Sequence, residues 1–392
     1  MRIDIIHPQE LGPAETTRWR ALALARRELW GPYFTPDYAI AIGAQREDAR
    51  VAILEDGGEV KGFFTAQCGT GRAAMPLGAP LSDYQGLIGP ADLAVSTQDL
   101  CRALRVGRID FSHMLADQAA FAPHHQGMDE SFVAPVAQGG GAYLASLKAR
   151  RAESVRTQDK KRRKLEREEG APVFTAMSRN RAHFEQVLDW KDRQLARTGC
   201  PPTFATPWVR RFVEALWNSE SEDFGGAFFT WEVNGKLVAG NFALRSRRVL
   251  HDWLIAHDTA YDRASPGLLL GRDMCVWAGD NGFEEVDFGL GDTQYKRLLS
   301  LATRPLAWGY AAPLTFAGMV RGMEYGVRRW VEGLPIGSFA ELPGKAMRRM
   351  DVNRGLGSGL GGTVATLKRA PTVLRLAVNA NRSTQIRRSA QS

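Results

Sequence analysis

The chain has 392 residues, 44% of them hydrophobic and 24% charged, with 51 Lys and Arg against 43 Asp and Glu and a formal charge of +8. That apolar content excludes a disordered or low-complexity chain and suffices for two or three packed domains. The cysteines Cys68, Cys101, Cys200 and Cys275 sit far apart without a CxxC pair, which excludes a disulfide framework or zinc ribbon and predicts buried thiols in a reducing compartment.

Taken in chain order, Met1 to Pro8 lacks an apolar run of signal-peptide length. Residues 14–29 read as helix. Val51 to Phe64 reads as strand, Gly57-Gly58 turn, strand. His124-His125 stands in a loop-like stretch and makes no metal set with the other histidines. Residues 148–169 carry ten Lys or Arg and five Asp or Glu with no Pro or Gly, so a charged helix is predicted. It is either a solvated face or a contact for a polyanion. It has no aromatics for base stacking, and no DNA contact is expected.

A second helix, over 205–218, precedes a second hairpin, Phe228 to Phe242, whose Asn234-Gly235 corner is a strong type I′ signal. Helix followed by meander thus occurs twice, and a duplicated unit is predicted. Val249 to Ala256 continues the second meander, with Val249, His251, Trp253 and Ile255 on one face and Leu250, Asp252 and Leu254 on the other. Ser265-Pro266-Gly267 then starts an amphipathic helix that stops at Asn281-Gly282, with Ser265 as N-cap and Pro266 at its first position. A further strand, Glu285 to Phe288, opens into Gly289-Leu290-Gly291-Asp292-Thr293-Gln294-Tyr295-Lys296.

The apolar stretch from Pro305 to Val320 is shorter than the ~20 residues of a spanning helix, so a soluble, cytoplasmic protein is expected. Residues 316–350 read as helical. A Gly-rich hinge, Gly355 to Gly362, follows. Seven Lys or Arg and no Asp or Glu lie between Val352 and Ser392. This basic tail is either solvated and disordered or docks on anionic inner membrane or on a glycan-synthesis partner.

Strand, small-residue turn, helix start, second strand, Gly-rich exit and Lys form an arrangement that can hold a phosphorylated cofactor, because helix N-terminal N–H groups attract a pyrophosphate. Neither GxGxxG after a strand nor GxxxxGK[ST] is present. These pieces, with Phe34-Thr35-Pro36 and Leu81-Ser82-Asp83-Tyr84-Gln85-Gly86, resemble the GNAT-type acetyltransferases of the CelD/BcsL exopolysaccharide group, distant relatives of the Fem aminoacyltransferases. The resemblance covers roughly 1–310. It implies an α/β fold of tandem GNAT-like domains with mixed sheets, at 1–135 and 136–315; beyond it the residues themselves add a helical extension at 316–350 and a flexible basic tail at 351–392. It also implies acetyl-CoA as donor and an amino sugar of a capsule, cellulose-like or holdfast glycan as acceptor. A Fem-like transfer from aminoacyl-tRNA and a non-catalytic regulatory protein remain alternatives.

Arg263, Ser265, Gly267, Leu268 and Lys296 are the expected cofactor-binding residues. The acyl-CoA loop typical of the family has two small residues where this chain has only Gly267, and Pro266 removes one N–H. A pyrophosphate is therefore expected to bind more weakly or in another arrangement. For transfer from a thioester an amine must lose a proton, and the leaving thiolate must gain one. Asp287 is a candidate to accept the amine proton or orient the acceptor, or else to cap backbone N–H groups. Tyr295 is a candidate acid, and Lys296 a candidate partner for phosphate or the thioester oxygen. His251 is a candidate base or a satisfied core histidine. No metal site is expected. Arg348, Arg349 and Asp351 have the Arg-x-x-Asp spacing of some cyclic-di-GMP sites, where guanidinium forks bind guanine and phosphate.

Overall fold

Both predicted hairpins form, each with a corner that only small or flexible residues adopt. Gly57 and Gly58 have φ of 58° and 80°, and Asn234 and Gly235 have φ of 50° and 73°, the double left-handed corner that matches strand twist. The computed structural model describes residues 1–357 apart from 70, 71, 198, 199, 202, 292 and 336. The tail from 358 onward lies outside the described residues.

The first half contains β1 (Arg2–Ile6), α1 (Pro13–Leu24), α2 (Pro36–Gly43), the hairpin β2 (Ala49–Asp56) and β3 (Glu59–Cys68), β4 (Ala73–Met75), β5 (Leu87–Ile88), α3 (Thr97–Ala103), β6 (Arg108–Leu115) and β7 (His125–Pro135). The second contains α4 (Gly140–Glu168), β8 (Val173–Thr175), α5 (Arg181–Arg197), α6 (Pro207–Trp217), β9 (Phe224–Val233), β10 (Lys236–Ser246), β11 (Val249–His257), α7 (Pro266–Asp280), β12 (Glu285–Leu290), α8 (Gln294–Leu299) and β13 (Ala302–Ala311). The helices α9 (Phe316–Glu332) and α10 (Leu342–Gly355) follow. The helix expected over 316–350 is thus two helices joined by a 3-10 turn at Gly337–Glu341.

The thirteen strands among the described residues share one sheet, in the order β1-β2-β3-β4-β6-β13-β7-β12-β11-β10-β9-β8 with β5 on β3. The duplication is visible in it. Each half is an antiparallel meander whose last strand meets a parallel neighbour, β4 beside β6 and β11 beside β12. The final strand of each half is exchanged. β7 follows β6 in the chain yet pairs with β12, and β13 follows β12 yet pairs with β6. The two exchanged strands also pair with each other from Ala302↔Val133 to Gly309↔His125.

Burial joins the halves as well. Trp19, Phe34, Tyr38 and Phe63 from the first half pack in one cluster with Phe184, Phe212, Phe228 and Phe242 from the second. α6 shows how the sequence directs this. Trp208, Val209, Phe212, Val213, Leu216 and Trp217 recur at helical spacing and are all buried. Emptying a site such as Phe184 is expected to cost about 3–5 kcal/mol.

Of the cysteines, Cys101 and Cys275 are buried as expected, while Cys68 and Cys200 are half-exposed. Among the described residues no helix is long and apolar enough to cross a membrane.

Candidate active site

β11 and β12 run parallel for only three pairs, Val249↔Glu285, Leu250↔Val286 and His251↔Asp287, and then diverge. The open wedge exposes the outer end of β11. Ile255, Ala256 and His257 line a cavity of about 510 Å³, together with Gly267 and Leu268 of α7, Tyr295 and Leu298 of α8, and Trp190 and Arg197 of α5. The first turn of α7 faces this space, so the positive end of a 15-residue helix dipole adjoins it.

Ser265 occupies the N-cap position as predicted but does not cap with its side chain. Its backbone is left-handed, at φ 53°, and its hydroxyl accepts from Lys161 Nζ of α4 at 2.6 Å. Of the expected cofactor residues, Ser265, Gly267 and Leu268 line the cavity. Arg263 is exposed on the 3-10 turn Thr259–Ala264, outside it. Lys296 donates to the Leu290 carbonyl at 2.5 Å, beside the β12 exit rather than in the cavity.

At the point of divergence sits a buried charge chain. Asp287 Oδ2 accepts from Tyr84 Oη at 2.6 Å and Arg304 Nη1 at 3.1 Å, and Oδ1 accepts from Ser131 Oγ at 2.9 Å and the Gly289 N–H at 2.7 Å. The His251 ring places Nδ1 3.7 Å from Asp287 Oδ1 and Nε2 2.9 Å from Asp83 Oδ2. Burial opposes charge on His251, yet the two carboxylates outweigh it and lift the imidazole to about 9. Burial alone would raise Asp287, but His251, Arg304 and Tyr84 hold it well below the usual carboxylate range.

This geometry corrects the expectation that Asp287 meets the acceptor amine. Its side chain is 1% exposed, as is that of His251, whereas Asp83 is 32% exposed. Only Asp83 of the three can touch a bound molecule. Gly289 explains the glycine after Asp287-Phe288. At φ 67°, a Cβ there would stand 3.1 Å from both Asp83 Oδ2 and His251 Cε1.

A second group lies on the α8 side. Tyr295 Oη donates to Asp252 Oδ2 at 3.2 Å, and Asn241 Nδ2 donates to Asp252 Oδ1 at 2.6 Å. Burial pushes Asp252 up, and burial followed by the Asp252 charge pushes Tyr295 well above its ordinary value. Lys191 Nζ donates to the Ile255 carbonyl at 3.3 Å, and burial lowers its ammonium. Of the predicted residues, the structure joins His251 to Asp287, and it places Tyr295 at the cavity wall. Asp83, Tyr84, Lys191 and Arg304 carry no local signal of their roles. In the sequence Asp83 and Tyr84 stand out only as part of the Leu81 to Gly86 motif.

A further cavity of about 380 Å³ lies beside Ser82, the chain neighbour of Asp83. Ser82, His113, Asp129 and Leu290 line it together with Arg321, Tyr325 and Arg348 at its wall. Of the three cyclic-di-GMP candidates, Arg348 is exposed at this wall and Arg349 is half-buried. Asp351 already accepts from Arg321 Nη2 at 2.8 Å and Arg354 Nη1 at 3.1 Å, so a nucleotide would have to displace two guanidinium groups.

The basic helix α4 divides its charge. Arg162 forms a fork with Asp273 at 3.0 and 2.8 Å, and Asp159 pairs with Arg272 at 2.7 Å. Lys148, Arg156, Lys160, Arg163, Lys164 and Arg167 are exposed.

Residues 152–297 match the family described as an acetyltransferase (GNAT) domain. They hold α7, β11, β12 and the wedge between them, and the match over this part of the chain supports an acyltransferase. No curated protein matches the sequence. Among solved structures it is similar to FemX, with TM-score 0.52 and 12% identity over 79% of this chain and 96% of that one. A DUF2156 domain from Agrobacterium fabrum, described as the C-terminal part of a lysylphosphatidylglycerol synthetase, gives TM-score 0.50 and 12% identity over 79% and 95%. A conserved protein of unknown function from Bacteroides thetaiotaomicron gives TM-score 0.50 and 13% identity over 78% and 100%. At such identities the likeness is one of fold.

Proposed function

We propose that this protein is an acetyl-CoA-dependent N-acetyltransferase whose acceptor is an amino sugar of an exopolysaccharide or its precursor. The observation that carries the reading is the parting of β11 from β12 directly after the His251↔Asp287 pair. It leaves a strand edge, a helix N-terminus and a cavity in a row. The cavity fits the donor chemically. Its walls are apolar at Ile255, Leu268 and Leu298, as a pantetheine arm requires, and Arg197 and the α7 terminus supply positive charge. Acetyl-CoA brings an activated acyl group as a thioester, and the chain's residues orient the acceptor and handle protons.

In this reading the acceptor enters through the smaller cavity, and its ammonium pairs with Asp83. The Asp83–His251 pair takes up the amine proton when the imidazole is neutral, and Asp287 keeps the ring in place. Tyr295 protonates the departing sulfur by turning its one hydroxyl proton away from Asp252, which holds it in the resting site. Lys191 places a cation near the same strand edge, where charge develops. The resemblance to the exopolysaccharide group supports the choice of acceptor. The exposed positive side of α4 favours one other reading, Fem-like use of aminoacyl-tRNA.

Calorimetric titration with acetyl-CoA tests the donor. Binding is expected, and Gly267→Tyr, which fills the cavity, should weaken it at least about tenfold. Saturable binding of aminoacyl-tRNA with no response to acetyl-CoA would move the assignment to the second reading. Asp83→Asn should lower kcat/KM for the amine by about 10²–10⁴ while leaving acetyl-CoA affinity unchanged. Unaltered turnover in that variant would remove Asp83 from the chemistry.

A further inference from the structure

α9 has two unlike faces. Its inner face is fixed: Arg321 and Tyr325 are buried, and Arg328 lies 4.1 Å above the Trp308 ring. On its outer face Phe316, Met319, Met323, Val327 and Trp330 are between 57% and 78% exposed, and Leu314 just ahead is fully exposed. Their spacing of three and four residues places the five helical side chains in one stripe along the helix. So contiguous a run of Phe, Met, Val and Trp in water marks a surface meant to be covered.

We propose that this stripe seats the protein on an anionic membrane, with α9 lying in the plane of the headgroups. The helix has 17 residues and a guanidinium-bearing reverse face, so it can lie on a bilayer but not cross it. One apolar anchor of this size binds weakly and reversibly, and durable attachment needs a second signal. Charge supplies it. α10 is clamped to α9 through Arg321 and Asp351. The sequence after residue 357 has six Lys or Arg and no acidic residue. That cluster would repel a second copy of the chain and is attracted by phosphatidylglycerol or similar lipids. Seating α9 this way holds the cavity behind it, walled by Arg321, Tyr325 and Arg328, one helix diameter (~10 Å) from the headgroups. If the acyltransferase reading holds, the acceptor is then an amino sugar on a lipid carrier.

The test is flotation of the full-length protein with phosphatidylcholine vesicles containing phosphatidylglycerol. Wild type should float with these vesicles, remain unbound with phosphatidylcholine alone, and be released by high salt. Met323→Glu with Val327→Glu should reduce the bound fraction at least about tenfold. Because both side chains are exposed, thermal unfolding and acetyl-CoA binding of that variant should match wild type, which separates this inference from the catalytic one. Removing residues 358–392 should weaken flotation without abolishing it. Undiminished flotation of the double variant would overturn the role of the stripe, and undiminished flotation of the truncation would overturn the role of charge. Absence of wild-type flotation would overturn the membrane assignment. So would a wild-type dimer that the double variant converts to monomer, since the stripe would then be a self-interface.

Discussion

At neutral pH the His251 imidazolium stands between two carboxylates, and this ties stability and rate to one proton. Its folded pKa of about 9 lies above the ordinary 6.5. The stabilisation is therefore complete below about pH 6.5 and is lost as pH rises through about 9, an effect of the order of 3 kcal/mol. In the proposed reaction transfer to the amine runs the other way, because only neutral imidazole would let the Asp83–His251 pair accept a proton. Unfolding free energy should fall, and kcat/KM should climb, over that same pH window. In His251→Gln both slopes should vanish, which denaturant titrations and pH–rate profiles would show. Gly289→Ala should be destabilising by about 1–3 kcal/mol, from its left-handed backbone alone, and should also separate Asp83 from His251. The sequence made His251, Asp287 and Tyr295 visible through their position on strands and beside glycines. It hid Asp83 because the contact with His251 spans 168 residues, and no local pattern encodes so distant a partner.

The element most instructive about charge is α4. In the sequence its cations form one undivided run, and the helix itself is legible from the absence of Pro and Gly. Two of its features are not. The helix breaks at Arg151, at φ −142° and ψ 44°, where Arg150 reaches the Leu301 carbonyl at 2.8 Å and Arg151 reaches that of Ser300 at 3.4 Å. The run also splits by face, since Val155, Gln158 and Leu165 are buried and turn Lys161 and Arg162 toward α7. Arg162→Ala leaves Asp273 with Trp231 Nε1 at 2.9 Å but without its guanidinium fork, and should cost about 1–3 kcal/mol in denaturant melts. Lys161→Ala should leave stability nearly unchanged and weaken acetyl-CoA binding about tenfold, through loss of a cation beside the α7 terminus. Lys164→Ala, on the solvent side, should change neither.

Across the whole molecule the repeated unit was legible from two hairpins with positive-φ corners, each preceded by a helix. The exchange of β7 and β13 was not, because a strand's sequence specifies its faces and leaves its neighbour open. The exchange binds the halves more tightly than a linker does. Glu285 on β12 is held by Arg27 of the first half at 2.6 Å and by Arg304 of β13 at 2.7 Å. Arg304→Met takes one guanidinium from two buried carboxylates, leaving Glu285 to Arg27 and Asp287 to Tyr84, Ser131 and His251, and should cost about 1–3 kcal/mol. Calorimetry should accordingly show one cooperative transition, with calorimetric and van't Hoff enthalpies in agreement.

A ribosome delivers β6 long before β13, the strand that completes it. About 190 residues separate the end of one from the start of the other, roughly 10–40 s of synthesis at 5–20 residues per second. Throughout that interval the nascent first half presents a raw sheet edge to its surroundings, with the apolar side chains of Ile109, Phe111 and Met114 beside it. Newly made chains thus pass through a period of exposure that the finished protein never revisits. Slower translation of the 116–301 stretch lengthens that vulnerability, and holdase chaperones that shield strand edges shorten its consequences.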